Sequence, residues 1–382
     1  MKKKTTQTQI EFLLLLLSNR QNSSRLYHNT LHILTDTDTT ELITLAKHHG
    51  LLPIIYKKLY HINKEHYNKY ISNFYKELKS QYIQISKYNM LLSSELINIF
   101  SIFQANNIKA LSFKGATLST LLYDDITIRQ YSDIDILIKL EDRKKVLDIL
   151  RQHKYKEHLN LPKEQKELFL QTAKEISLYH IEKPIMLDIH WAFFDKDYPI
   201  DFDCQDIWKE PFIVRIDNSP IPTFNKEQLL IYLAIHASKH LFERIEWLVD
   251  IDRAITTHNI DWSYIYKFLQ KSDFERMFIL ALYLSNRHFD TYIPNRLLHK
   301  YKDEKWLSYT SDYVIKSWYS DFSITAYTKA MLYLFPKTSQ KINYLIKVIF
   351  KPSKNEFNYI KSDKKWLYYT IRPWLLIKKY LF

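Results

Sequence analysis

The sequence predicts an α+β protein in which a small sheet is flanked by an N-terminal and a C-terminal helical region. Three observations predict it. Strand-like runs fall between residues 106 and 222, residues 64–105 carry apolar side chains about every 3.6 positions without Pro or Gly, and from Asn225 onward the pattern is helical. The 382 residues suffice for two or three domains at the usual ~100–200 residues each. We divide them into an N-terminal helical region (1–105), a core (106–222) and a C-terminal helical domain (223–382). A hydrophobic content of 46% permits a large core and excludes wholesale disorder.

The N-terminus imitates a secretion signal, because three lysines precede Leu13 to Leu17. Glu11 interrupts the apolar run, however, and no small-residue cleavage site follows, so the reading is a buried first helix. No stretch reaches the roughly 18 apolar residues of a membrane span, and the expected location is cytoplasmic, with no transmembrane segment. Asp38 to Lys47 carries Leu42, Leu45 and Ala46 at helical spacing, stops at Gly50, and resumes after Pro53 as Ile54 to Tyr60. Lys64 to Ala105, with Ile71, Phe74, Tyr75, Leu78, Tyr82 and Ile85 on one stripe, reads as a long helix with at most one break.

The core opens with an apolar strand (Ala110 to Phe113), then Lys114-Gly115, a short helix (Ala116 to Tyr123), a loop through Arg129, and a second strand, Ile134 to Ile138. Asp133 and Asp135 stand at i and i+2 of that second strand, so period-2 alternation points both carboxylates to one face and the isoleucines to the other. Such a pair suits Mg²⁺-assisted phosphoryl or nucleotidyl transfer, since Mg²⁺ favours one or two protein carboxylates plus substrate phosphates. Gly115 at a strand-to-helix turn admits close approach of a phosphate, and the free N–H groups of the following helix are an anion site. Lys114 and Arg129 would offset triphosphate charge. The chain has 2 glycines where average usage is about 7%, which makes Gly115 a position where a Cβ is expected to obstruct.

Glu141 to His153 reads as an amphipathic helix with Val146, Ile149 and Leu150 inward, and Pro162 to Ala173 as a helix-prone cover. Ile176 to Ile181 and Ile185 to Phe193, joined by Glu182-Lys183-Pro184, read as a hairpin. Leu187, Ile189 and Trp191 alternate with Asp188 and His190, making Asp188 a third carboxylate, suited to ligating a metal or accepting a hydroxyl proton. His190 either orients Asp188 or touches phosphate or substrate, or it is a polar residue on a solvated face. Asp195, Asp197, Asp201 and Asp203 read as surface residues of a loop.

Leu229 to Ala254 reads as one helix with His236, His240, Glu243, Trp247 and Asp250 at spacings of 4, 3, 4 and 3, and Leu233, Ala237, Leu241, Ile245 and Leu248 on another stripe. The polar aromatic stripe is a candidate wall against base or acceptor, formed by His236, His240, Trp247 and Asp250. It is not a zincin site, because Ala237 replaces the required Glu. Asp250 and Asp252 diverge by about 200° on a helix and cannot repeat the strand's carboxylate pair. The tyrosine-, tryptophan- and lysine-rich C-terminal part suits nucleic-acid stacking, a membrane interface or helix packing, chiefly the last.

The single cysteine, Cys204, excludes an intramolecular disulfide and a Cys-based zinc site. With 55 Lys+Arg against 42 Asp+Glu, a formal +13, the surface suits a polyanionic partner, an acidic membrane or a nucleotide. The same excess, with abundant Lys, Ile, Asn and Tyr and almost no Gly, is also what an AT-rich genome writes.

The runs FKGATLSTLLY, IRQYSDIDILI and LDIHW resemble the bacterial uncharacterised nucleotidyltransferase family, within the DNA polymerase β-like nucleotidyltransferase superfamily. Similarity extends to LAKHHGLLPIIYKKL and HASKHLFERIEWLVDIDRA. The resemblance implies a polymerase β-like core, a small mixed sheet with flanking helices. Its roles fall to Gly115 at the turn, Asp133 and Asp135 in the D-x-D, and Asp188 as third carboxylate; the usual Gly-Ser is Gly115-Ala116 here, and the loop to the D-x-D is long. The implied activity moves an NMP from an NTP, ATP among them, to an acceptor hydroxyl with pyrophosphate release. Asp133, Asp135 and Asp188 would hold Mg²⁺ or Mn²⁺, and Lys114, Gly115, Arg129, Ser132 and His190 would bind the nucleotide. The acceptor is a small molecule, a peptide or protein, or an RNA end. Two rival classes stand beside this reading: an idle nucleotide or nucleic-acid binding module on the same fold, and a structural protein whose D-x-D only solvates a strand.

Overall fold

In the computed structural model, which describes residues 2–18, 30–32, 34, 39–65, 68–158, 167, 169–171, 173–194, 198–200, 205–350, 367 and 370–375, helices and a small sheet alternate. In chain order the elements are α1 (Lys2–Leu17), α2 (Thr39–His48), α3 (Leu52–Glu65), α4 (Lys69–Ala105), β1 (Ala110–Ser112), α5 (Gly115–Tyr123), β2 (Ile134–Ile138), α6 (Arg143–Gln152) and β3 (Tyr155–Glu157). There follow β4 (Glu175–His180), β5 (Met186–His190), β6 (Phe212–Ile216), β7 (Ser219–Thr223), α7 (Lys226–Lys239), α8 (Ile245–Thr257), α9 (Trp262–Lys271) and α10 (Glu275–Phe289). The last three are α11 (Lys305–Ser317), α12 (Ile324–Leu334) and α13 (Thr338–Phe350). Asp195, Asp197, Asp201, Asp203, Cys204, most of the segment 162–173 and most of the C-terminal aromatic stretch lie outside the described residues.

The chain divides into two compact units. The first comprises Met1–Ile99, Phe113–Ser132 and Glu210–Leu334, the second Phe100–Ser112, Asp133–Lys209 and Phe335–Phe382.

The second unit holds a five-stranded sheet of order β1-β2-β5-β4-β3. Its β2–β5 pair is parallel and the other pairs are antiparallel, so the sheet is mixed, as the resemblance implied. Ile134, Ile136, Ile138, Ile176, Leu178, Leu187 and Ile189 are all buried, and α6 adds Val146, Leu147, Ile149 and Leu150 to the core.

In the first unit the apolar N-terminal run is a helix, and Ile10, Phe12, Leu13, Leu14, Leu16 and Leu17 of α1 are buried. Among the described residues, no helix is long and apolar enough to cross a membrane. Helices α7, α8 and α10 pack on one another through near-continuous apolar surfaces. Asn225 starts α7 with a capping box, its side chain accepting from the Gln228 N–H at 2.9 Å. The hairpin β6–β7 turns on Asp217 and Asn218, both with positive φ (45° and 63°), the twist that a two-residue hairpin loop requires.

Residues 229–254 do not form the single helix expected from their periodicity. The chain breaks between α7 and α8 at Leu241 and Phe242, which adopt φ of 47° and 53°. Left-handed geometry disfavours residues with a Cβ, by roughly 1–2 kcal/mol each. Burial of both side chains and a 2.7 Å hydrogen bond from the Trp318 indole to the Phe242 carbonyl offset that cost.

Helix α2 ends in a Schellman turn. The Leu51 N–H donates to Ala46 O (2.8 Å) and the Gly50 N–H to Lys47 O (3.2 Å), with Gly50 at φ +73°. A Cβ on Gly50 would collide with the Glu246 carboxylate and the Arg244 guanidinium. This is the glycine whose missing side chain makes room; Gly115 is held by its φ of +51°. Gly50→Ala is therefore expected to destabilise the fold by at least about 2 kcal/mol, read as a lowered urea midpoint, more than the ~1 kcal/mol of an ordinary substitution.

Next to this turn, burial foremost and then the neighbouring His48 hold the His49 imidazole down to about 4. Between pH 6.5 and 4 the unfolded chain thus binds a proton that the folded chain refuses, and stability falls as the pH drops. The loss amounts to at most about 3 kcal/mol. Wild type should lose melting temperature more steeply over this window than His49→Leu; parallel profiles would show that His49 does not contribute.

Candidate active site

The site grows out of strand register. In the parallel pair β2–β5, Asp135 is the Cα partner of Asp188, and Leu137 of His190. In the antiparallel pair β4–β5, Asp188 lies opposite Ser177, and His190 opposite Glu175. Because side chains alternate along each strand, Asp135, Asp188, Ser177, His190 and Glu175 share one face, and Ile134, Ile136, Leu187, Ile189 and Ile176 share the other.

His190 lies at the centre of this face. Its Nε2 is 2.9 Å from Asp135 Oδ1 and its Nδ1 3.1 Å from Glu175 Oε2. Both His190 and Asp135 are buried. Burial alone would lower the imidazole's pKa, but the bonds to Asp135 and then Glu175 outweigh it and leave it raised. At Glu175 burial works upward, yet His190 and the paired Lys174 hold the carboxyl far below the usual range. Asp188 is pushed up, first by burial and then by the Asp135 charge, against a hydrogen bond from Ser177.

Asp135, Asp188 and His190 each offer a ligand atom, all within 4.8 Å of one another. The two carboxylates suit a divalent cation of the Mg²⁺ or Mn²⁺ type, whereas both His190 nitrogens already face carboxylates. Asp133 immediately precedes β2, is half-buried, and is not one of these three. Glu175 is the residue that the sequence reading missed. Starting the strand at Ile176 hid it, although one more step of alternation puts Glu175 on the face of Asp188.

The remaining candidates belong to the first unit. Lys114 precedes α5 in extended geometry (φ −137°), with its Nζ 5.5 Å from the Phe113 ring, and Gly115 begins the helix. Ser132 is exposed, and its carbonyl accepts from the Tyr88 hydroxyl at 3.2 Å. Arg129 is buried and bidentate to Asp250, with Nε donating to Oδ1 at 2.9 Å and Nη2 to Oδ2 at 2.8 Å. Nη2 also stands 3.6 Å from Glu246. Tyr123 donates to Asp250 Oδ1 at 3.0 Å, the Gln130 N–H to Glu246 Oε1 at 3.2 Å, and Arg244 pairs with Glu246 Oε2 at 3.0 Å. Burial opposes the Arg129 charge, but Asp250 and Glu246 more than restore it, so its pKa lies above the ordinary value.

His236, His240 and Trp247 do meet, across the α7–α8 break. The Trp247 ring centroid is 5.3 Å from that of His236 and 5.7 Å from that of His240, and the two imidazoles are 5.1 Å apart. Asp250 belongs to the Arg129 network, while Asp252 accepts from Thr291 at 2.6 Å, so the helical D-x-D diverges as expected.

Residues 35–290, which include every candidate site residue, match the model of a family described as uncharacterised nucleotidyltransferase. The chain belongs to this nucleotidyltransferase family. No curated protein sequence matches it. Among solved structures, this nucleotidyltransferase-family chain is similar to the lincosamide antibiotic adenylyltransferase LnuA in its lincomycin-bound form. The identity is 20% over 42% of this chain and 94% of that one, with a TM-score of 0.30. It is also similar to an antigenic nucleotidyltransferase-like protein from Paracoccidioides brasiliensis, at 16% identity over 56% of this chain and 96% of the other, with a TM-score of 0.31.

The Arg129–Asp250 pair should show the asymmetry of buried ion pairs, in which removing one partner strands the other charge. Asp250→Leu or Arg129→Met alone is expected to cost about 3–5 kcal/mol in urea unfolding, and the double variant clearly less than the sum. Strict additivity would mean that the pair is not coupled.

Proposed function

We propose that this protein transfers a nucleoside monophosphate from an NTP to an acceptor hydroxyl and releases pyrophosphate, with Mg²⁺ or Mn²⁺ as cofactor and residues 106–222 as the catalytic core. The observation that carries the reading is the juxtaposition of Asp135 and Asp188 by the β2–β5 register, with His190 hydrogen-bonded to Asp135 Oδ1. Family membership supports the reaction class. The acceptor is open in kind: a small molecule, a peptide or protein, or an RNA end.

Asp135 and Asp188 hold the cation, with Asp133 contributing from the residue before β2. When bound, a divalent cation neutralises phosphate charge and draws electron density from the phosphorus under attack. The acceptor oxygen forms a bond to the α-phosphorus as the α–β phosphoanhydride bond breaks, and pyrophosphate leaves with the bonding pair. Asp188, set beside Asp135 by the strand register, is placed either to ligate the cation or to take the acceptor's proton. Lys114 and the N–H groups opening α5 bind phosphate oxygens, and Gly115, with its positive φ, leaves that approach unobstructed. Ser132 adds a hydroxyl to the nucleotide side. Arg129 acts through the segment that it anchors, because its guanidinium is already engaged by Asp250 and Glu246. His236, His240 and Trp247 offer ring surfaces to a base or an acceptor.

The test is pyrophosphate release from each of the four NTPs with Mg²⁺ or Mn²⁺, in a cell extract that supplies acceptors. Asp135→Asn and Asp188→Asn should each lower turnover by well over the about 10- to 100-fold that loss of an outer partner of a metal ligand costs, while a cooperative melting transition shows that each variant is folded. Chelation should abolish release and added Mg²⁺ restore it. Wild-type turnover in either variant would overturn the cation assignment.

A further inference from the structure

His190 uses both ring nitrogens, each toward a different carboxylate. A side chain with one hydrogen bond can still swing about its χ angles, whereas an imidazole held at Nδ1 and Nε2 is fixed in position and in plane. Asp135 gains from this, because its Oδ1 receives a 2.9 Å contact from a buried ring that cannot turn away. The anchor at the other end is Glu175, 3.1 Å from Nδ1, on a neighbouring strand directly opposite His190. Glu175 is only part-exposed and is itself held by Lys174. The series Glu175, His190, Asp135 therefore runs along one face of the adjacent strands β4, β5 and β2 and ends at a carboxylate of the candidate cation site.

We propose that Glu175 is a positioning residue that acts through His190 to fix the Asp135 carboxylate for divalent-cation binding. The inference rests on the cation role given above to Asp135. Partners of this kind, one step removed from a metal ligand, typically alter metal affinity by about 10- to 100-fold.

Direct Mn²⁺ binding, followed by the loss of the free-ion electron paramagnetic resonance signal, tests it without recourse to turnover. Glu175→Ala should weaken Mn²⁺ binding about 10-fold or more in the wild-type background. In a His190→Asn background it should change binding less than about 2-fold, because a residue acting through another has nothing left to act on. The isosteric Glu175→Gln supplies the same cycle should the alanine variant unfold, and melting temperatures show that each variant is folded. If Glu175 variants bind Mn²⁺ like wild type while Asp135→Asn does not bind, the positioning role is overturned and the cation site stands. Additive effects of Glu175 and His190 overturn it likewise. If Asp135→Asn itself binds Mn²⁺ like wild type, the cation reading fails first, and the positioning role with it.

Discussion

The in-register parallel pairing of β2 with β5 is the constraint on which the site depends. Asp135 stands directly beside Asp188, an arrangement that sheet energetics disfavour, since like charges side by side on adjacent strands repel. The opposite face explains why the register holds. A slip of one residue would turn Ile134, Ile136, Leu187 and Ile189 out of the core, and all four are buried. The apolar face fixes the alignment, and the repulsion between the carboxylates is tolerated because His190 and Ser177 sit among them. A sheet selected for stability alone has no reason to keep such a pair.

The first unit shows a second use of buried charge. Arg129 ties the segment after α5 to Asp250 and Glu246 of α8. That segment is held from its other side as well: Asn89 of α4 donates to the carbonyls of Ile126 (3.0 Å) and Arg129 (2.8 Å), and the Tyr82 hydroxyl meets Thr127 at 2.7 Å. The long loop leading into the D-x-D is thus irregular in backbone but well supplied with partners.

Much of this was legible in the sequence, because local patterns report on neighbours along the chain. The α2 stop at Gly50, the long α4, the strands around the D-x-D and the β4–β5 hairpin all follow from periodicity and turn chemistry, and Asp188 was placed on the right face by alternation alone. What periodicity cannot show is which distant side chain will claim a given residue. Asp250 looked like part of an aromatic stripe, yet its partner is Arg129, 121 positions away. The α7–α8 break escaped for a different reason: no Gly or Pro marks it, and it depends on Trp318, far along the chain. The β6–β7 hairpin was readable in principle from Asp217-Asn218 between apolar positions, but Pro220 and Pro222 weakened the strand pattern around it.

The scarcity of glycine has a consequence for how the backbone bends. Left-handed conformations are still required, and among the described residues they fall, besides Gly50 and Gly115, to Asn107, Asp124, Lys154, Asp217, Asn218, Leu241, Phe242 and Asp290. Asp124 and Asp290 close helices at positions where glycine is the usual choice. Asp and Asn tolerate this geometry better than other residues with a side chain, and they stiffen the unfolded chain relative to glycine. A composition nearly free of glycine therefore exchanges ease of turning for a less floppy denatured ensemble. Its corners are slightly strained when folded, and the chain has fewer conformations to lose in reaching them.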